Sequence, residues 1–87
     1  MRAAASSKFP CEFPIKVMGR QDGDLCRDTR SIIERHTGPL AEALIRVRTS
    51  TDGNFLAVTY LIQAESRAQL DRIYRELTAC KSVLMAL

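Results

Sequence analysis

Between Lys16 and Leu25 the chain reads KVMGRQDGDL, the stretch whose residue types come nearest to a chemical site. Gly19 followed by Arg20 at a strand-to-helix junction is an arrangement in which backbone amides and a guanidinium can cradle a phosphate. Asp22 and Asp24 stand in the same turn, however, and carboxylates at close range repel an anion that water only partly screens. The turn also lacks the longer glycine run that would let several amides converge. Asn54, in the downstream TSTDGNF, has no evident company with which to place an attacking water.

The remaining chemistry-bearing residues are sparse. Cys11, Cys26 and Cys80 are odd in number and show no close-pair spacing, and His36 is the only histidine. Neither a disulfide framework nor a zinc knuckle fits, so free thiols in a reducing cytoplasm are expected, with Cys11 the most accessible of them. No metal or cofactor is expected. Thirteen Lys and Arg against ten Asp and Glu give a net charge of +3, carried as scattered arginines and not as the block that would mark a nucleic-acid partner. No apolar run reaches the roughly 18–20 residues of a membrane span, so no membrane role is expected.

These residues must be positioned by one domain, since 87 residues leave no room for a second core. Residues 1–8 read as a loose tail and 9–87 as the domain. Phe13, Ile15 and Val17 alternate with Lys16 and Met18, the period of a half-buried strand, and Gly19 to Gly23 reads as its turn. Asp22 or Asp24 can cap a helix whose apolar face is Leu25, Thr29, Ile32, Ile33 and His36, ending at Gly38-Pro39. Apolar runs at Ala43–Thr49 and Phe55–Ala64 flank a hairpin turn centred near Asp52-Gly53. Ser66 with Gln69 forms a capping box opening a second helix with Leu70, Ile73, Tyr74 and Leu77 inside. Val83 to Leu87 reads as a last strand. Strand, helix, strand, strand, helix, strand in that order predicts a ferredoxin-like α+β sandwich: a four-stranded antiparallel sheet with both helices on one face.

The helix arginines, interspersed with carboxylates in pairs such as Asp71 and Arg75, read as a solvated face, and His36 as a helix-end cation suited to the macrodipole. The sheet divides more informatively. With Ile15, Val17, Ile45, Val47, Leu56, Val58, Tyr60 and Ile62 toward the helices, the opposite face carries Lys16, Met18, Leu44, Arg46, Arg48, Phe55, Ala57, Thr59 and Leu61. Its middle is too apolar for an indifferent solvated surface, and such patches mark partner surfaces. A protein partner or a second copy of the chain is therefore expected there. RNA fits poorly, because the central strands offer only Phe55 as an outward aromatic.

The motifs FP, KVMG (Lys16–Gly19), RH (Arg35-His36), GNF (Gly53–Phe55), YRELTA around Tyr74 and the terminal MAL, at matching spacings from Phe9 to Leu87, resemble the YbeD-like family of small bacterial proteins. The resemblance implies a ferredoxin-like fold, similar in architecture to ACT domains, and a regulatory role without an established reaction. Gly23-Asp24-Leu25 is similar to the glycine-x-leucine of an ACT ligand loop, though without the proline that usually precedes it. A candidate ligand loop for an amino acid or other small metabolite thus comprises Gly19, Arg20, Asp22 and Gly23 with Asp52, Gly53 and Asn54. Acylphosphatase, which shares this superfold, is the enzymatic comparison, and the carboxylates argue against it. The expectation is a non-enzymatic regulatory or adaptor domain acting through its sheet face, with an ACT-like sensor as the alternative.

Overall fold

The computed structural model describes residues 9–87, so the tail expected at residues 1–8 lies outside the described residues. The chain forms β1 (Cys11–Arg20), α1 (Leu25–Thr37), a 3₁₀ turn (Glu42–Leu44), β2 (Ile45–Thr49), β3 (Phe55–Ala64), α2 (Arg67–Ala79) and β4 (Met85–Ala86). The antiparallel sheet runs β2-β3-β1-β4, the ferredoxin-like order. β1 and β3 lie side by side at its centre and pair along their whole length, from Cys11 opposite Ala64 to Arg20 opposite Phe55.

That pairing explains a first departure from the sequence reading. Gly19 and Arg20 belong to β1, opposite Leu56 and Phe55, and the turn is Gln21–Asp24. Gly19 is buried, and a Cβ built on it would collide with the Ser82 carbonyl oxygen and lie 2.9 Å from Leu25 Cδ1. The residue is required by close packing of the chain before β4. Gly23 is different: a Cβ there would meet only the Arg20 carbonyl oxygen, at 3.6 Å.

α1 buries Leu25, Thr29, Ile32 and Ile33, as its spacing requires. Neither aspartate caps it through its side chain. Asp24 occupies the N-cap position with φ −107° and ψ 33°, outside the extended geometry of a capping residue, and its carboxylate pairs with Arg27 at 3.1 Å. Asp22 pairs with Arg20 at 3.3 Å. At the other end Gly38, at φ 84°, donates its amide to the Glu34 carbonyl at 2.8 Å, and Pro39 follows.

The second helix starts as expected, with one shift. Ser66 Oγ accepts from the Gln69 amide at 3.1 Å, but Gln69 Oε1 accepts from the Glu65 amide instead of that of Ser66, at 2.8 Å. Gln69 Nε2 then donates to the His36 carbonyl at 2.9 Å, which ties the start of α2 to the end of α1. His36 Nε2 and Arg35 both reach Glu76, each at 2.8 Å. The expected Asp71–Arg75 pair is replaced by Arg67–Asp71 at 3.9 Å.

The core lies between sheet and helices and includes Ile15, Val17, Val58, Tyr60, Ile62, Ile33, Ile73 and Leu77. Tyr60 carries a polar atom into it. Thr29 Oγ1 donates to the Leu25 carbonyl at 2.7 Å and therefore accepts from the Tyr60 hydroxyl, also at 2.7 Å. Burial pushes the Tyr60 pKa above its ordinary value, so the phenol stays protonated as that donor.

Three edges of the reading need correction. The run expected as a strand from Ala43 starts its strand only at Ile45, after the 3₁₀ turn. Val47 faces the helix side, opposite Val58, yet is 50% exposed, because β2 is an edge strand and the helices pack chiefly on β1 and β3. The last strand is Met85–Ala86 alone, extended by paired backbone bonds between Lys16 and Leu87 of 3.1 and 2.7 Å.

The arginine face also does more than meet solvent. Arg30 bonds Glu34 at 3.2 Å, Glu42 at 2.7 Å and the Leu40 carbonyl at 3.1 Å, while Glu34 accepts from the Leu40 amide at 2.7 Å. Leu40 is thereby held in the core.

Two expectations follow. Gly19→Ala should destabilise by about 1–3 kcal/mol in urea denaturation, whereas Gly23→Ala should stay within about 0.5 kcal/mol of wild type. The Leu40 amide and Arg30 hold Glu34 below its ordinary pKa, the His36 ring and Arg35 do so for Glu76, and the Ser82 hydroxyl and Arg27 for Asp28. A carboxylate lowered on folding stabilises fully above its unfolded pKa, near ~4. That stability is lost as pH falls through the lower folded values. Melting temperature should therefore be level near neutrality and drop below about pH 4.5. Glu34→Gln should lower the neutral plateau and shrink the drop, and an unchanged acid limb in that variant would contradict the assignment.

Candidate functional site

The candidate residues fall into two places. The first is the loop end of the sheet, where the turn after β1 meets the hairpin turn between β2 and β3. The Gln21 amide donates to the Asn54 carbonyl at 2.8 Å, so the two segments of the candidate ligand loop are neighbours. In the hairpin, Gly53 has φ 80° and donates its amide to the Ser50 carbonyl at 2.9 Å. Asp52 Oδ1 accepts from the Ser50 hydroxyl at 2.6 Å and from the Asn54 amide at 3.0 Å. Those bonds hold the Asp52 pKa below its ordinary value. In the other turn Gly23 donates to the Arg20 carbonyl at 3.2 Å and Arg20 is paired with Asp22. Both turns thus satisfy many of their own polar groups, and the Gln21 and Gly23 amides point at carbonyls, not at a shared anion.

The second place is the face of the sheet turned away from the helices, and it collects the other candidates. Cross-strand rows follow from the register. Arg48, Ala57, Met18 and Met85 form one row; Arg46, Thr59 and Lys16 form the next, ending beside Leu87. Phe55 and Arg20 lie beyond the first row, and Leu61 and Pro14 beyond the second. Leu44, in the 3₁₀ turn, lines the same surface beside Leu61. All nine residues expected on this face are on it.

The surface is furrowed. One depression of about 300 Å³ is lined by Lys16, Ala43, Leu44, Arg46, Arg48, Ala57, Thr59 and Leu61. Another of about 250 Å³ is lined by Lys16, Met18, Arg48, Thr49–Thr51 and Phe55–Ala57. They share Lys16, Arg48 and Ala57, so the concavity is continuous. Small side chains at Ala57 and Thr59 form its floor and longer ones its walls. Phe55 is 37% exposed and Met85 50% exposed.

Met85 and Leu87 were missed in the sequence reading of this face. The signal was present in the parity of Val83–Leu87, but only the antiparallel pairing of Met18 with Met85 fixes which alternate residues turn outward. Among the described residues no group of three His, Cys, Asp or Glu side chains is placed to hold a metal ion. Cys11, Cys26 and Cys80 are free and all half-buried, so Cys11 is not set apart by exposure. No helix among the described residues is long and apolar enough to cross a membrane.

The comparisons with known proteins agree with this architecture. A structural neighbour is the solution structure of protein HP0495 from H. pylori, with a TM-score of 0.71 and 15% sequence identity, covering 100% of this chain and 96% of that one. At that identity the likeness concerns the fold alone. A UPF0250 protein of Chromobacterium violaceum is 39% identical over 80 residues, 92% of this chain and 90% of its own. A UPF0250 protein of Nitrosomonas europaea is 36% identical over 80 residues, covering 92% of each chain. The family profile described as "Protein of unknown function (DUF493)" matches residues 4–87, nearly the whole sequence. The resemblance read from KVMG and GNF therefore holds, and the chain belongs to the DUF493 family.

Proposed function

We propose that this chain is a small non-enzymatic regulatory or adaptor domain of the cytoplasm that works by docking a protein through the free face of its sheet. The observation that carries the reading is the apolar patch on that face at the Phe55 end of its central strands, with Leu61 apolar again beyond the Arg46–Thr59–Lys16 row. Met18, Phe55, Ala57 and Leu61 lie on adjacent β1 and β3, and Met85 on β4 extends the patch in the Met18 row. Burying such side chains stabilises association by about 25 cal/mol per Å² of apolar surface before the costs of ordering. Methionines at two positions suit a surface that must adapt to a partner. The core lies on the other side of the sheet, and partner binding is the role that accounts for an apolar patch on this one.

The ACT-like alternative places a metabolite at the turn Gln21–Asp24 beside Asn54. The adjacency of the two turns is in its favour. Against it stand the internal bonding of both turns and the open surroundings of Gly23, whose lack of a side chain relieves no close approach.

Met18→Asp and Phe55→Asp should each abolish association with the partner captured from the protein's own cell extract. Circular dichroism should stay unchanged and melting within a few degrees of wild type. A partner retained by both variants would overturn the docking reading. Saturable thermal stabilisation by a metabolite, weakened in Gly23→Val, would instead establish the sensor.

A further inference from the structure

Charge is distributed unevenly between the two sides of the domain. On the helix side arginines answer the carboxylates: Arg27 pairs with Asp24 and Asp28, Arg30 with Glu34 and Glu42, Arg35 with Glu76. On the free sheet face Lys16, Arg46 and Arg48 are exposed, and none meets a carboxylate among the described residues. From the Arg20–Phe55 row to the Pro14–Leu61 row the two central strands carry no acidic residue; Glu12, beside Gln63, is the first.

These cations border the furrow. Thr59 separates Lys16 from Arg46 in one row, and in the next Ala57 follows Arg48. Strands stand about 4.8 Å apart, so the backbones of Lys16 and Arg46 are about 10 Å apart, roughly the width of a helix. A concavity of that width, floored by the small side chains of Ala57 and Thr59 and positive on both walls, selects for an occupant with carboxylates along its edges and a small apolar contact at Ala57. We infer that the furrow receives an acidic amphipathic segment of a protein partner. Its carboxylates meet Lys16, Arg46 and Arg48, and an apolar side chain lies over Ala57 toward Met18. This inference rests on the docking reading and adds the chemistry of the partner.

Other occupants fit less well. A second copy docked face to face by a two-fold axis would bring the same positive patch onto itself, with no acidic side chain on the central strands between the Arg20–Phe55 and Pro14–Leu61 rows to relieve it. The segment 1–8 of this chain contains Arg2 and Lys8 and no acidic residue, so its charge has the same sign as the walls. A single-stranded nucleic acid would satisfy the cations, but stacking needs several aromatic platforms and the face supplies Phe55 alone.

The probe is a helix-forming peptide with leucines at i, i+3, i+4 and i+7 spacing and glutamates elsewhere, titrated into the ¹⁵N-labelled full chain. Its counterpart with glutamine for every glutamate, and an oligothymidylate, are run beside it. The glutamate peptide should shift the amides of Lys16, Arg46, Arg48, Ala57 and Thr59 and bind at least about tenfold more tightly than the glutamine peptide, an advantage that shrinks with salt. Arg46→Glu combined with Arg48→Glu should remove that advantage; both side chains are exposed, so the amide spectrum should stay folded.

Equal binding of the two peptides on the face, lost in Met18→Asp, would overturn the acidic-partner inference and leave docking standing. No response to either peptide would also overturn the inference. If, in addition, Met18→Asp and Phe55→Asp still held the extract partner, docking itself would fall. Tighter binding of the oligothymidylate on the same amides would replace the protein partner with a nucleic acid.

Discussion

The register of β1 against β3 is the constraint on which the rest of the molecule depends. Ten consecutive residues of one strand oppose ten of the other, and because side chains alternate, a slip of one residue would exchange the two faces of both central strands. In the observed register Ile15, Val17, Val58, Tyr60 and Ile62 form the sheet's side of the core. The same choice places Lys16, Met18, Ala57 and Thr59 on the open side. Core and candidate interface are thus two consequences of one pairing, and neither can be altered by register without the other.

A few polar ties hold the helix layer on that sheet in a fixed position. The Tyr60 hydroxyl reaches Thr29 on α1 from the centre of β3, a geometry no apolar pair would specify so narrowly. Gln69 joins the two helices by bonding the His36 carbonyl while it also caps its own helix, and Glu76 receives Arg35 and His36 farther along. At the C-terminal end the Tyr74 hydroxyl donates to the Leu87 carbonyl at 2.8 Å, which fixes the residue that pairs with Lys16 at the margin of the free face. Apolar burial supplies most of the driving force, and these bonds determine how the layers sit.

Most of the fold was legible because its signals are local. The alternation around Ile15 and Val17, the helical spacing of Leu25, Thr29, Ile32 and Ile33, and the Asp52-Gly53 turn each determine one element, and the order of elements leaves one common architecture. What escaped the sequence depends on distant partners. Gly19 looked like a turn glycine until the Ser82 carbonyl was seen against it, and Arg30 looked solvated until the chain beyond Gly38 returned to meet it through Leu40 and Glu42. Val47 had the right parity but sits on an edge strand beyond the main helix cover. The interface candidates were read correctly as a face, since parity is local, whereas Met85 required knowledge of which strand lies beside Met18. The family relationship adds no chemistry to this, so the proposed function is argued from the surface itself.

The central claim is that the free sheet face, and not the loop end or the helix layer, is where this protein meets its partner. Methyl-labelled protein placed in a clarified extract of its own cells would test it most directly, with the methyl resonances of Met18, Ala57 and Met85 compared with those of Ile15, Ile33 and Ile73 in the core and Ala68 on α2. The account requires selective shift or broadening at Met18, Ala57 and Met85, competed away by excess unlabelled protein. Perturbation centred on Ala68, or spectra identical to those in buffer, would contradict it.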